Sequence, residues 1–465
     1  MSLISSISGI RGTVGSGTDN LNPETVLRFT SAFGMMVIAS QTEGPWSVVV
    51  GRDARVSGLA FSQIVAATLQ SLGINVIDIG LATTPTVEMA VVGESASGGI
   101  IITASHNPAP WNALKLLNRQ GEFLSDQEGR KVLDSAASGN FPFAASSSYG
   151  SYKSKEEWTD KHIQEILALP AVDKEAISRA GFKIAVDAVN SVGGIAVPKL
   201  LRALGLKEIV EVNCVPNGDF SHNPEPLPDN LSELSLAVID KHLDLGIAVD
   251  PDVDRLALVC EDGSFFGEEY TLVAVADYIL GLAPKNNYAR ATVSNLSSSR
   301  ALRDVSLKHG ASYSPSPVGE VNVVSEMKAM RAIIGGEGNG GIIYPELHHG
   351  RDALVGIALF LSHLAHSKQR CSELRQSYPS YHISKNKIEY KKDFDISRAL
   401  SAVKASFPLA IIDERDGLKL DLEEGWLQLR RSNTEPIIRI YSEAKDCAMA
   451  EKLAKEALEI IKSLE

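Results

Sequence analysis

Three aspartates stand at alternate positions in "DPDVDR" (250–255), directly after the apolar run "LGIAV". Asp250, Asp252 and Asp254 can turn their carboxylates towards one point, where a hard divalent cation would offset their repulsion. An EF-hand would place Glu261 at loop position twelve, but position six, which needs glycine for the sharp turn, is Arg255. The flanks "LGIAV" and "LALVC" also read as strands. Mg²⁺ fits better: it takes about six oxygens, few of them from protein carboxylates. Such a loop is short of oxygens that water or a phosphate would supply.

A second candidate lies in "GGIIITASHNPAPWNALK" (98–115), where an apolar run stops at Ser105. A buried strand delivers this serine, and Pro108 and Pro110 stiffen the exit from the loop. Neighbouring residues of an extended segment point to opposite sides, so His106 is not expected to serve as its base. No G-x-S-x-G elbow occurs in the chain. Ser105 therefore reads either as a loop serine or as a nucleophile activated by something other than its neighbour. The same tetrapeptide, S-H-N-P, recurs at 221–224.

Two further loops suit a phosphorylated polyol. "GGEGNGG" (335–341) matches G-x-G-x-x-G, yet no acidic residue follows at the distance that would hold a ribose. It reads as a plain glycine turn, or as a tight loop presenting Glu337 and Asn339 to sugar hydroxyls, with the glycines allowing close approach. "LRRSNTEPIIR" (429–439) gathers Arg430, Arg431 and Arg439 around Ser432, Asn433 and Thr434. In an acidic chain, that concentration of donors favours anion binding over a solvated basic turn.

These loops need elements to position them. Strand candidates "WSVVVGRD", "FKIAVDAVN" and "ATVSNLSSS" each open a helical pattern. Second strands follow in "INVIDIGLATTP", "KEIVEVNCVPNG" and "ASYSPSPVG", and third strands in "GGIIITASHNP", "LGIAVDPDVDR" and "RAIIGGEGNGG". Short β-branched runs alternating with helices predict three related α/β domains with mixed, mostly parallel sheets. Chemistry in such sheets collects at the carboxyl ends of strands, and all three third strands end there in a polar loop. The tail, "LAIIDERDGLKLDLEEGWLQLRRSNTEPIIRIYSEA" followed by "DCAMAEKLAKEALEIIKSLE", predicts an α+β domain with an antiparallel sheet. The expected boundaries are 1–150 (serine loop), 151–260 (metal loop), 261–378 (sugar loop) and 379–465 (phosphate loop). "ASSSYGSYKSKEE" (145–157) reads as a linker, and "QSYPSYHISKNK" (376–387) as the close of the third repeat.

Composition narrows the class. A chain of 465 residues with 22% charged and 44% apolar residues is ordinary for a globular protein of about three domains. Its net charge of −12 argues against nucleic-acid or anionic-membrane partners, which need a basic face. Cys214, Cys260, Cys371 and Cys447 form no CxxC pair, which suits buried thiols in a reducing cytoplasm. Neither a signal peptide nor a bilayer-spanning run is expected.

In order along nearly the whole chain, T-A-S-H-N-P, D-P-D-x-D-R, G-E-x-N-G-G and R-x-S-N-T-E-P resemble the motifs of the α-D-phosphohexomutases, which include phosphoglucomutases, phosphomannomutases and phosphoglucosamine mutases. The resemblance implies four domains, three of them related. It implies that Ser105 carries a covalent phosphate and ligates Mg²⁺ together with Asp250, Asp252 and Asp254, with Arg255 beside them. Arg11 of "SGIRG", Lys115 and His106 join Ser105 in the implied catalytic set. Glu337 and Asn339 would hold sugar hydroxyls, while Arg430, Ser432, Asn433, Thr434 and Arg439 would grip the phosphate that is not reacting. The implied reaction interconverts hexose 1-phosphate and 6-phosphate through a hexose 1,6-bisphosphate that is intermediate and activator, with the tail domain as a lid. Ser221 then falls in a structural loop.

Gly341 replaces a histidine that many members carry at the end of the sugar loop, so His348 or His349 is a possible substitute, and Val321 stands where many have Lys or Arg. Both features resemble the archaeal-type phosphoglucosamine mutases. The expectation is a phosphoglucosamine mutase, with a phosphomannomutase/phosphoglucomutase of dual specificity as the alternative. A phosphoserine-dependent sugar phosphatase and an inactive phosphosugar-binding protein are the alternatives of other classes.

Overall fold

Apolar side chains alternate between two faces along the N-terminal strands, and the computed structural model shows what each face meets. It describes residues 3–464 except 7, 8, 18, 41–43, 283–287, 392, 393 and 433–436. The chain forms two compact units, Met1–Tyr278 with Asn339–Leu374, and Ile279–Gly338 with Arg375–Glu465.

The first unit begins with a seven-stranded sheet in the order Ile4–Ser6, Gly9–Thr13, Trp111–Leu117, Gly98–Ile102, Ser47–Arg52, Asn75–Leu81, Tyr152–Ser154. The last four strands run parallel to one another, and the first three are joined antiparallel to each other and to Gly98–Ile102. Val48, Val50, Ile100 and Ile102 face a core shared with helices Pro23–Ser40, Gly58–Ser71 and Asp126–Ser138. Val49 and Ile101, one residue out of step, pack instead with Val87 and Val91 of helix Thr84–Gly93. Burying each such side chain contributes roughly 1.5–3 kcal/mol, so a one-residue slip in register would be strongly opposed.

A second sheet has the order Leu256–Cys260, Leu245–Val249, Lys183–Asp187, Glu208–Val212. Its first pair is an antiparallel hairpin closed at Val249↔Leu256, and the others are parallel. Leu245–Val249 and Leu256–Cys260 are buried at every position. Helix Ala353–Ser367 is buried along most of its length, and Asp352 caps it by accepting from Leu354 N and Val355 N.

In the second unit, Ser312–Ser316, Ala289–Asn295 and Ala332–Glu337 lie side by side and parallel. A five-stranded antiparallel sheet follows, ordered His382–Glu389, Ile437–Ala444, Gly425–Arg431, Leu418–Asp421, Ile411–Asp413. Helices Ile396–Ser406 and Cys447–Lys462 cover one face of it. The architecture is thus the one expected: three α/β assemblies with mixed, mostly parallel sheets and a C-terminal antiparallel one.

Two local expectations differ. Within the stretch read as a linker, Tyr152–Ser154 adds an exposed edge strand to the first sheet, because backbone pairing with Asn75–Leu81 needs no apolar side chain. The stretch read as closing the third repeat enters the antiparallel sheet at His382, where eight residues pair with Ile437–Ala444. Among the described residues no helix is long and apolar enough to cross a membrane.

Candidate active site

Ser105 follows the buried strand Gly98–Ile102 by three residues and adopts the left-handed conformation, with φ of 48°. That turn is over-determined. Ser105 N donates to Thr103 Oγ1 at 2.9 Å, and its carbonyl accepts from Arg55 Nη2 at 2.5 Å. The buried Arg55 also donates to the carbonyls of Asn107, Pro108 and Trp111, and its Nε meets Asp53 Oδ2 at 3.1 Å. One guanidinium therefore fixes the whole exit of the loop. Because Ser105 is not extended, His106 does not point away as expected. Its Nδ1 lies 3.4 Å from Ser105 Oγ. Burial, then the Arg255 cation, pushes His106 down to about 2, so its ring stays neutral.

The six residues joining Leu245–Val249 to Leu256–Cys260 carry the three aspartates. Asp250, Asp252 and Asp254 are fully buried, and their oxygens gather within 4.8 Å of one another. Asp250 Oδ1 accepts from Asp254 N and Arg255 N, both at 3.1 Å, which folds the loop over its own carboxylate. Asp250 Oδ2 accepts from Ser105 Oγ at 2.7 Å. Burial, reinforced by Asp254 and Asp252, holds the Asp250 carboxyl well above the usual range. Asp252 Oδ2 accepts from Lys115 Nζ and Thr84 Oγ1, each at 2.6 Å. Asp254 Oδ2 accepts from Arg351 Nη2 at 2.7 Å and Lys115 Nζ at 3.4 Å. Burial works to lower Lys115, but the two carboxylates overcome it and hold the ammonium above its ordinary value.

Arg11 sits opposite Ala113 on the strand beside Lys115 and so shares its face of the sheet. No hydrogen bond reaches its guanidinium from the described residues. Burial, then Arg255, lowers its pKa. Arg255 has two long ion pairs, 3.4 Å to Glu225 and 4.0 Å from Nε to Asp254, and its Nε has no hydrogen-bond partner among the described residues. Two mutually repelling guanidiniums, one of them acting on His106, suit an oxyanion.

Glu337 and Asn339 fall in different units. In the first unit, Asn339 Oδ1 accepts from Gly341 N at 3.2 Å. In the second, buried Glu337 accepts from Asn295 Nδ2 at 2.8 Å and Gly319 N at 3.1 Å. Also in the second unit, Arg430 and Arg439 are directly opposed across their strands, and Arg439 faces Lys387 on its other side. Like charges in register cost stability unless an anion lies over them. Arg430 is partly offset by Asp416 at 3.0 Å, and Ser432 is buried, its N–H bonded to Ile437 O at 2.9 Å. Asn433 and Thr434 lie outside the described residues.

The phosphoglucomutase/phosphomannomutase alpha/beta/alpha domains I, II and III match residues 4–142, 160–263 and 267–381, and the C-terminal domain matches 386–460. The chain belongs to the phosphoglucomutase/phosphomannomutase family. It is 36% identical to a phosphoglucomutase/phosphomannomutase of Thermococcus kodakarensis, over 98% of both chains. A probable phosphoglucosamine mutase of Methanopyrus kandleri is 32% identical, over 98% of this chain and 97% of that one. A crystal structure of a family protein from Burkholderia thailandensis superposes with a TM-score of 0.84 at 25% identity, covering 98% of this chain and 96% of that one.

A divalent metal fits the residues present. Asp252 Oδ1 and Asp254 Oδ1 are buried with no hydrogen-bond partner among the described residues, an arrangement that costs energy unless a cation is bound. Sequence reading missed several neighbours of these residues within each unit. Arg55, Thr84, Arg351 and Lys387 act on residues distant in the chain. Only Arg55 carried a local signal, as an arginine just past the buried run "SVVVGRD". The second S-H-N-P is different in kind. Ser221 is exposed, and His222 Nε2 lies 3.2 Å from both oxygens of Asp187.

Proposed function

We propose that the protein is a phosphohexomutase that interconverts the 1- and 6-phosphates of a hexose, glucosamine phosphate foremost, using Ser105 as phosphoryl carrier. The observation that carries this reading is the 2.7 Å bond between Ser105 Oγ and Asp250 Oδ2, inside a cage of three buried carboxylates. A buried carrier beside unsatisfied acids suits phosphoryl transfer, where positioning and charge neutralisation do most of the work.

In the reading, the bond between Ser105 Oγ and phosphorus breaks as a sugar hydroxyl oxygen bonds to the same phosphorus. The hydroxyl gives up its proton and Ser105 Oγ regains one. The hexose 1,6-bisphosphate turns end for end, and its other phosphate returns to Ser105 in the reverse step. Arg55 holds the loop carbonyls so that Oγ keeps its place. Arg11 and Arg255 attract the transferring group, and Lys115 keeps positive charge between Asp252 and Asp254. His106, held neutral, is a hydrogen-bond partner to the carrier. A magnesium ion held by Asp250, Asp252, Asp254 and a phosphoryl oxygen on Ser105 would neutralise charge there. Glu337 and Asn339 serve the sugar hydroxyls. Arg430, Ser432 and Arg439, with Asn433 and Thr434 from the motif, serve the distal phosphate.

The printed names of relatives support two substrate readings. A 31% identical relative from Sulfurisphaera tokodaii, matching over 97% of this chain and 98% of that one, is a phosphoglucosamine/phosphogalactosamine mutase, while the 36% relative is a phosphoglucomutase/phosphomannomutase. Intact-mass analysis of the purified protein, followed by assays with glucosamine, glucose and mannose 1-phosphates, tests the proposal. A phosphate on Ser105 and isomerisation lost in Ser105→Ala are expected. Release of free phosphate without isomerisation would make the protein a phosphatase, and full turnover by Ser105→Ala would end the reading.

A further inference from the structure

Behind the three-aspartate loop, and within the same unit, a second set of ligating side chains converges from three places in the chain. His162 comes from helix Trp158–Ala168, His348 from the loop before helix Ala353–Ser367, and Asp352 from the cap of that helix. His162 Nε2 lies 2.9 Å and His348 Nε2 lies 3.3 Å from the same oxygen, Asp352 Oδ2. The three donor atoms are all within 4.8 Å of one another. Bonds of about 2.0–2.1 Å at a tetrahedral angle put ligand atoms about 3.3–3.4 Å apart, so little movement is needed to hold an ion.

Each ligand is also oriented from behind. His162 Nδ1 meets Thr86 Oγ1 at 2.9 Å, and His348 Nδ1 meets Glu88 Oε2 at 3.3 Å. The other oxygen of Asp352 accepts from Leu354 N at 2.8 Å and Val355 N at 3.3 Å. A carboxylate behind one imidazole and a hydroxyl behind the other are the outer partners that fix ring orientation in built metal sites. Charge points the same way. Glu88 and Asp352 are 2% and 0% exposed, and a divalent cation bound here would offset these two buried carboxylates in place of the proton that they otherwise hold on His348.

We propose that His162, His348 and Asp352 form a transition-metal site of the zinc class, with water completing the coordination. Imidazole nitrogens select such ions over magnesium, which separates this site from the all-oxygen triad. Its place suggests its purpose. Thr84, in the helix that carries Glu88, bonds Asp252, and Arg351, next to Asp352, bonds Asp254. An ion here staples together the segments that support the three-aspartate loop.

The test uses the full chain, stripped by a chelator and then kept in saturating Mg²⁺ to occupy the triad. Titration with Co²⁺ should give one bound ion per chain with the intense visible absorption of tetrahedral coordination. Zn²⁺ should bleach that band and raise Tm by about 2–4 °C. His162→Gln and His348→Gln should lose both effects. No retained Co²⁺, a weak octahedral spectrum, or unchanged binding in either variant would overturn the proposal. Should the variants fail to fold, anomalous diffraction from zinc-soaked wild-type crystals decides alone, by a peak between these three residues or none.

Discussion

Arg55 Nη2 and the carbonyl oxygen of Ser105 lie 2.5 Å apart, which ties the serine loop to a guanidinium that is 2% exposed. The same side chain bonds three further carbonyls and neutralises Asp53. Replacing it with methionine would leave a buried carboxylate unpaired, a loss of about 3–5 kcal/mol in unfolding free energy by urea titration. Arg55→Lys keeps the charge but cannot reproduce the fork, so its kcat should fall even where stability is partly kept.

In the proposed reading, Lys115 and a metal share Asp252 and Asp254. In Lys115→Met the metal-free protein should lose stability, because two buried carboxylates lose their shared cation. Mg²⁺ should then raise Tm more in the variant than in wild type, while kcat falls about 10²–10³-fold. Differential scanning calorimetry with and without Mg²⁺ checks the first part and a turnover assay the second.

Gly340 has a φ of +83°, and a Cβ there would stand 2.2 Å from Leu256 O. The clash is with backbone that is itself bonded, since Leu256 N donates to Gly340 O at 3.1 Å. Neither side can yield. Gly340→Ala should cost about 2–4 kcal/mol, combining strained backbone with overpacking, read as a lower urea midpoint.

His222 should make stability depend on pH. Burial lowers its pKa, but the hydrogen bond and charge of Asp187 outweigh that, and the folded value is raised above 6.5. Its contribution is fully present below about pH 6.5, the unfolded value, and is lost as pH rises through the raised folded value. His222→Gln should therefore flatten the decline in stability on the alkaline side of that point. Urea midpoints at a series of pH values test it, and an unchanged slope would count against the assignment.

The row Lys387, Arg439, Arg430 gives a signature that separates binding from folding. Arg439→Ala should raise KM for the phosphosugar about tenfold. Stability should stay level or rise by about 0.2–1 kcal/mol, because a like-charge neighbour is removed. A stability loss with unchanged KM would make the row merely structural.

The buried strands were legible because their composition is local. "GGIII" and "LGIAV" announce themselves, and the loops that follow them carry Ser105 and the aspartates. What supports those loops was not legible. Thr84 meets Asp252 across 168 residues and His162 meets Asp352 across 190, and one sequence holds no trace of such pairings. The left-handed turn at Ser105 was hidden for another reason. Serine does not favour that conformation, so only the bonds from Arg55 and Thr103 explain it. That turn is also why His106 lies near the hydroxyl instead of opposite to it.

Asp250 spends one oxygen on the amides of its own loop and the other on the serine. Shape and chemistry are thereby fused in a single side chain, and an amide in its place would disturb both at once. Asp252 and Asp254 each keep an oxygen free of such duties. An engineer wishing to fit a larger or softer ion to the proposed site should begin with that pair, where ligand chemistry can be altered while the hairpin keeps its form.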